Sequence, residues 1–110
     1  MKAKFEVEFL EPALVFIRGL EDKARRKVIY NIDKARFVND PQLLKKLDHD
    51  IWEFRAKYAG KQFRLLAFWV KKKGKTTFVI ATHGFVKKVS KVPSKEIDKA
   101  RHLRAKYLKK

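Results

Sequence analysis

Three strand-length apolar segments lie between Ile51 and Val86, separated by two short breaks that each carry a glycine, and they constrain the fold more than anything else in the chain. Residues 51–58 alternate. Trp52, Phe54, Ala56 and Tyr58 take one face, and Ile51, Glu53, Arg55 and Lys57 the other. Alternation of this kind belongs to a strand whose two faces meet different surroundings. Residues 59–61 contain Gly60 and predict a hairpin turn. Residues 62–70 (QFRLLAFWV) are apolar almost throughout, the pattern of a central strand covered on both sides. Lys71 to Lys75 form a solvated hairpin tip. Residues 76–86 (TTFVIATHGFV) are rich in β-branched residues and supply the next strand. Three consecutive strands joined by hairpins make an antiparallel meander.

The remaining segments fit around it. Residues 3–10 alternate apolar and charged, which predicts a first strand pairing at an edge of the sheet. Glu11-Pro12 reads as a helix start and Gly19 as its stop. A second helix is expected from Glu21 to Val38, with Leu20, Ala24, Val28, Ile32 and Ala35 on one stripe. Asn39-Asp40-Pro41 breaks the pattern, and residues 42–47 read as one helical turn or a loop. Pro93 opens a last helix reaching Lys109, with Ile97, Ala100, Leu103 and Tyr107 facing inward. The expectation is a single α+β domain over residues 1–110, ordered β-α-α-β-β-β-α. It has an antiparallel sheet, an N-terminal helix hairpin on one face and a C-terminal helix.

Charge narrows the function. The 110 residues hold 29 Lys and Arg against 12 Asp and Glu, a net charge of +17. Such a surplus opposes compaction, and a polyanionic partner explains it better than solubility does. Nucleic acid is the usual polyanion. No segment has the long basic amphipathic character of a membrane-surface helix, so no membrane partner is expected. The absence of cysteine excludes a disulfide scaffold, a thiolate zinc site and a cysteine nucleophile. His49, His83 and His102 lack metal-site spacing. Neither metal nor cofactor is expected. Nothing near the N-terminus reads as a signal peptide, and a cytoplasmic location is expected.

Charges inside apolar strands are costly unless paired or solvent-facing, which singles out Arg55 and Arg64. Two readings of Arg64 stand open. It pairs with Glu53 or Glu8 across the sheet, or it projects into an open concave face and clamps a phosphate with its two-pronged fork. His83 gains weight from its neighbours. Gly84 permits close approach of another backbone, Phe85 offers a stacking surface, and Lys87 and Lys88 bring charge to the same strand end.

The stretch IWEFRAKYAGKQFRLLAFW, followed by THGFVKKVSKVPSKEIDKA, resembles the HigB-like branch of the RelE toxin superfamily. The elements that carry the resemblance are Trp52-Glu53-Phe54-Arg55, Phe63-Arg64, His83 to Lys88, and Pro93 to Ala100. It runs from about Phe5 to Tyr107. The resemblance implies a RelE-like fold and a toxin of a toxin–antitoxin pair. The implied activity is metal-independent endoribonuclease cleavage of mRNA in the ribosomal A site, by attack of the 2′-hydroxyl on the adjacent phosphate. A cognate antitoxin is implied, often a helix-turn-helix protein that contacts operator DNA on the pair's behalf. By this resemblance Arg64 stabilises the phosphorane-like transition state, Arg55 and Lys87 or Lys88 hold phosphates, and His83 is the general acid or base. Lys57, Lys71, Lys72, Lys73, Lys75, Lys88 and Phe85 add RNA contacts. Some relatives use a tyrosine near the C-terminus. The nearest here, Tyr107, stands on the apolar stripe. Other readings remain: a non-catalytic module resembling a double-stranded RNA-binding domain in its strand-strand-strand-helix tail, an inactivated relative of the toxins acting by binding only, and an interaction protein whose basic groove receives an acidic protein segment.

Overall fold

The computed structural model describes residues 2–72, 74 and 76–109. In chain order these form β1 (Glu6–Phe9), α1 (Glu11–Arg18), α2 (Asp22–Ala35), β2 (Leu44–Asp48), β3 (Ile51–Tyr58), β4 (Lys61–Lys71), β5 (Thr77–Lys87) and α3 (Ser94–Leu108). The fold is α+β, with five strands in the order β1-β5-β4-β3-β2. The meander lies where the alternation placed it. Ala59 (φ 51°) and Gly60 (φ 77°) turn β3 into β4, and two successive positive φ values match the right-handed twist of a hairpin.

Two expectations are corrected. The sheet is mixed rather than antiparallel, because β1 runs parallel to β5. The helix hairpin carries the chain from β1 to the far edge, and the meander returns it strand by strand to β1. Nothing local in residues 3–10 encodes that direction. Second, the segment read as a helical turn or loop contains β2, an edge strand antiparallel to β3 with an irregularity between Lys46 and Asp48. The sequence Leu-Lys-Lys-Leu-Asp does not alternate, so only its pairing makes it a strand. Exposed Lys45 and Lys46 suit an edge that must not recruit another chain.

The helices start and stop for local reasons. Pro12 sits in the first turn of α1, and the Gly19 N–H bonds back to the Val15 carbonyl at 3.1 Å. Glu21 caps α2 by accepting from the Lys23 and Ala24 N–H groups at 2.6 and 3.0 Å. α2 ends at Ala35, three residues before the expected Val38, in a turn where Arg36 N–H bonds to the Asp33 carbonyl.

Two apolar clusters hold the sheet. The larger joins Ala13 and Ile17 of α1 and Ala24, Val28, Ile32 and Ala35 of α2 to Phe54, Leu65, Ala67, Val79 and Ala81. The smaller joins Ile51 and Leu66 to Ala100 of α3, with Ile97 and Phe85 at its margin. This second interface is thin, and polar contacts extend it. Arg101 pairs with Asp48, Arg104 lies 3.7 Å from Asp50, and Tyr107 meets Phe68 edge to face.

A bulge in β5 decides which side chains reach the second face. Leu66 pairs with His83 but Ala67 pairs with Ala81, leaving Thr82 as an extra residue. Strict alternation from Val79 and Ala81 would send His83 into the larger cluster. The extra residue flips it to the α3 face and turns Gly84 toward α1. A Cβ at Gly84 would stand 2.2 Å from the Phe16 ring, so the close approach that this glycine permits is to an aromatic side chain rather than to a backbone.

Candidate functional site

The strand residues picked out from the sequence share the α3 face and form three cross-strand rows. Lys57, Gln62 and Lys87 make the first, at the end of the sheet that carries the Ala59–Gly60 turn. Arg55, Arg64 and Phe85 make the second, and Glu53, Leu66 and His83 the third. Exposure falls row by row. Lys57 and Gln62 are exposed and Lys87 half-buried; Arg64 is buried between half-buried Arg55 and Phe85; all three members of the third row are buried.

The second row sets two arginines directly opposite each other, an arrangement that needs a counter-charge. Glu53 supplies it, with carboxylate oxygens 3.3 Å from Arg64 Nε and 3.8 Å from Arg55 Nε. Of the two readings open for Arg64, the pairing with Glu53 is present, and the largely buried side chain also reaches the border of the open groove described below. Arg64 is 2% exposed, and its fork donates to the Phe63 carbonyl at 3.0 Å and to Gln62 Oε1 at 2.7 Å. Burial pushes the guanidinium below its ordinary pKa; Glu53 opposes the shift and Arg55 adds to it. Arg55 is less confined. Its Nη1 donates to the Pro41 carbonyl at 3.1 Å, and its side chain borders the open groove described below.

His83 is enclosed. Its Nε2 lies 3.0 Å from Glu96 Oε1 in the first turn of α3, and its Nδ1 lies 3.0 Å from Thr82 Oγ1. An ionised Glu96 only accepts, so in the neutral ring Nε2 carries the proton and Nδ1 accepts. The single Thr82 hydroxyl proton then serves either His83 Nδ1 or the Leu66 carbonyl 3.1 Å away. Neither ring nitrogen is left for a substrate in this arrangement. Burial lowers the His83 pKa; the Glu96 hydrogen bond opposes that shift and Lys99 adds to it. The folded protein therefore binds this proton less readily than the unfolded chain. The stability contribution of His83 is fully present above the unfolded pKa near 6.5 and is lost as pH falls below it. Melting midpoints of the wild type are expected to fall between pH 7.5 and 5.5, by up to about 1.4 kcal/mol of stability per pH unit. His83→Gln should flatten that part of the profile, and an unchanged slope would show that other groups set it.

The basic tip of the meander belongs elsewhere. Lys61 and Lys71 stand ten residues apart on β4, about 33 Å along the strand, so Lys71 and Lys72 lie at the opposite end of the sheet from the first row. Lys72 is also engaged, with Nζ 2.8 Å from Glu8 Oε1 and 4.5 Å from the Phe78 ring centre. Lys73 and Lys75 lie outside the described residues.

Two open hollows meet the first row. One, of about 700 Å³, is bordered by Gly60, Lys61, Val86, Lys87 and Lys88. The other is a groove of about 480 Å³ between α2 and the ends of β3 and β4. Lys27, Lys34, Arg55, Lys57 and Arg64 border it, and among the described residues no carboxylate does. Sequence reasoning missed the α2 wall. Its signal was present as Lys27, Tyr30, Asn31 and Lys34, spaced i, i+3, i+4, i+7, which is one helix face. Among the described residues no group of His, Asp and Glu is placed to hold a metal ion. No helix among them is long and apolar enough to cross a membrane.

The family model of phage-derived Gp49-like proteins (DUF891) matches residues 15–105, from α1 through most of α3. The chain belongs to this family. It is a toxin-like family, and the match takes in every row of the candidate site. No curated protein and no solved structure matches the chain.

Proposed function

We propose that this Gp49-like chain is the toxin of a toxin–antitoxin pair, with a RelE-like fold, and that it arrests translation by cutting mRNA on the ribosome. One observation carries the reading: the row Lys57–Gln62–Lys87 opens between two hollows whose charged walls are all cationic, in a chain of net charge +17. Such a surface binds an RNA backbone without reading its sequence. The chemistry is transesterification. The 2′-oxygen gives its proton to a solvent water and bonds to the adjacent phosphorus, and the bond from phosphorus to the 5′-oxygen breaks, leaving a 2′,3′-cyclic phosphate. Negative charge grows on the non-bridging oxygens, where Lys57, Lys87 and Lys88 stabilise it. An ammonium of the same row protonates the departing 5′-oxygen. Arg64 and Glu53 act from below, fixing the strands and setting the field. His83 holds α3 down rather than meeting substrate. The ribosome presents the message, and a helix-turn-helix antitoxin neutralises the toxin and carries operator DNA binding for the pair.

A second reading has one observation in its favour. The two residues best suited to catalysis, Arg64 and His83, are both buried and internally bonded. A protein that only binds RNA through the same row is consistent with that. Induction of the chain in a bacterial host, with primer extension on translated messages, separates the two. Discrete cuts accompanied by growth arrest support the ribonuclease. Arrest with intact messages supports the binder, and unharmed cells with intact messages overturn the toxin reading.

A further inference from the structure

The α2 wall of the groove has a feature that phosphate binding alone does not use. Tyr30 is 59% exposed, with Lys27 one turn before it and Lys34 one turn after. Lys27 Nζ lies 5.9 Å from the centre of its ring. A large aromatic side chain left in solvent on a rigid helix gives up apolar burial, and here the helix is held firmly. Buried Asn31, the next residue, donates to the Arg55 carbonyl at 3.0 Å and so ties this face of α2 to β3.

Tyr30 also divides two different surroundings. It borders the cationic groove on one side and, on the other, a hollow where Asp22 and Asp33 stand beside Arg25 and Arg26. The second side balances its charges, with Asp22 paired to Arg25 and Arg26 and Asp33 to Arg36, whereas the first carries cations alone, so a polyanion is drawn to the first. Lys27 and Lys34 are seven residues apart, about 10 Å along the helix axis, so they flank the ring along the groove rather than crowd it. Exposed aromatics between cations along a groove are how single-stranded nucleic acid is held. The phosphates follow the charge, and unpaired bases lie on the rings.

We infer that Tyr30 is a stacking platform for an unpaired base of single-stranded RNA, with Lys27 and Lys34 holding the phosphates beside it. This makes α2 a subsite for nucleotides flanking those bound at Lys57 and Lys87. The inference rests on the RNA reading of the groove. A folded duplex does not satisfy it, because paired bases offer no free face to the ring.

The test is binding of a fluorescently labelled, unstructured 2′-O-methyl oligouridine, which cannot be cut at a blocked 2′-oxygen, followed by anisotropy at several salt concentrations. Tyr30→Ala is expected to weaken binding roughly tenfold, within the range for loss of one base–aromatic stack, and to leave the salt slope unchanged. Tyr30→Phe keeps the ring and should retain wild-type affinity, which a role for the hydroxyl would not allow. Lys27→Gln with Lys34→Gln should make the slope of log affinity against log salt shallower by about 1.4, as expected for two lost phosphate contacts on a single strand. Tyr30 is exposed, so these variants should fold, which circular dichroism checks. If Tyr30→Ala binds as the wild type does, the stacking subsite is wrong while the RNA reading stands. A wild type that does not bind the oligonucleotide removes both.

Discussion

Arg64→Ala should destabilise the protein by about 3–5 kcal/mol, the cost of removing one partner from a buried ion pair. The side chains of Arg64 and Glu53 are 3% and 5% exposed, and a carboxylate left at that depth keeps only Arg55, 3.8 Å away, as its counter-charge. The Phe63 carbonyl and Gln62 Oε1 each lose a donor as well. Domains of this size are stable by only about 5–15 kcal/mol, so the loss takes up a large part of the total. Urea denaturation should show a midpoint shift without a change in slope. Removing both charges at once, as Arg64→Met with Glu53→Gln, should recover much of the loss, because the penalty lies in the unpaired charge and not in the missing attraction. Wild-type stability in Arg64→Ala would mean that Glu53 is solvated or paired in some other way. There is a functional corollary. Loss of toxicity in Arg64→Ala therefore reports on catalysis only where the variant is shown to be folded at the assay temperature.

Arg64 also marks where sequence reading stops. The two-residue period put Arg55 and Lys57 on one face of β3, and it placed an arginine in the middle of a strand buried on both sides. Both features are present in the structure. Whether such an arginine points into a ligand cavity or at a carboxylate depends on which residue the neighbouring strand brings alongside, and register is a property of the pair rather than of either segment. His83 illustrates the same limit more sharply. Its face depends on one extra residue, Thr82, and its partner Glu96 comes from a helix thirteen positions on. β2 was invisible because five residues without alternation carry no strand signal of their own. The parallel direction of β1 was invisible because the choice of neighbour lies in the long connection. The α2 wall is a different case. Lys27, Tyr30 and Lys34 were readable as one helix face, but an outward polar face looks the same whether it meets water or a ligand. Only the groove beside it tells the two apart.

The residues that can test the chemistry without disturbing the fold are therefore those of the open row. Lys57 and Lys88 are exposed and Lys87 is half-buried, and none of the three is ion-paired among the described residues. Neutralising them removes repulsion from a chain already at +17, so stability should hold or rise slightly. Their proposed targets are the oxygens on which charge grows during cleavage, and donors placed there are worth about a hundredfold or more each. Lys57→Gln, Lys87→Gln and Lys88→Gln combined should abolish growth arrest and reduce message cuts by at least about a hundredfold, with the melting midpoint kept within a few degrees. The single variants should separate roles. One that acts only on ground-state binding is rescued by lowering the salt or raising the protein concentration, because weakened phosphate binding is a mass-action deficit. One that acts on the transition state is not rescued, since saturation leaves the barrier unchanged. A triple variant that still cuts messages at the wild-type rate would move the site off this end of the sheet. The groups to examine next would then be Glu96 and His83, whose chemistry becomes available only if α3 lifts from β5.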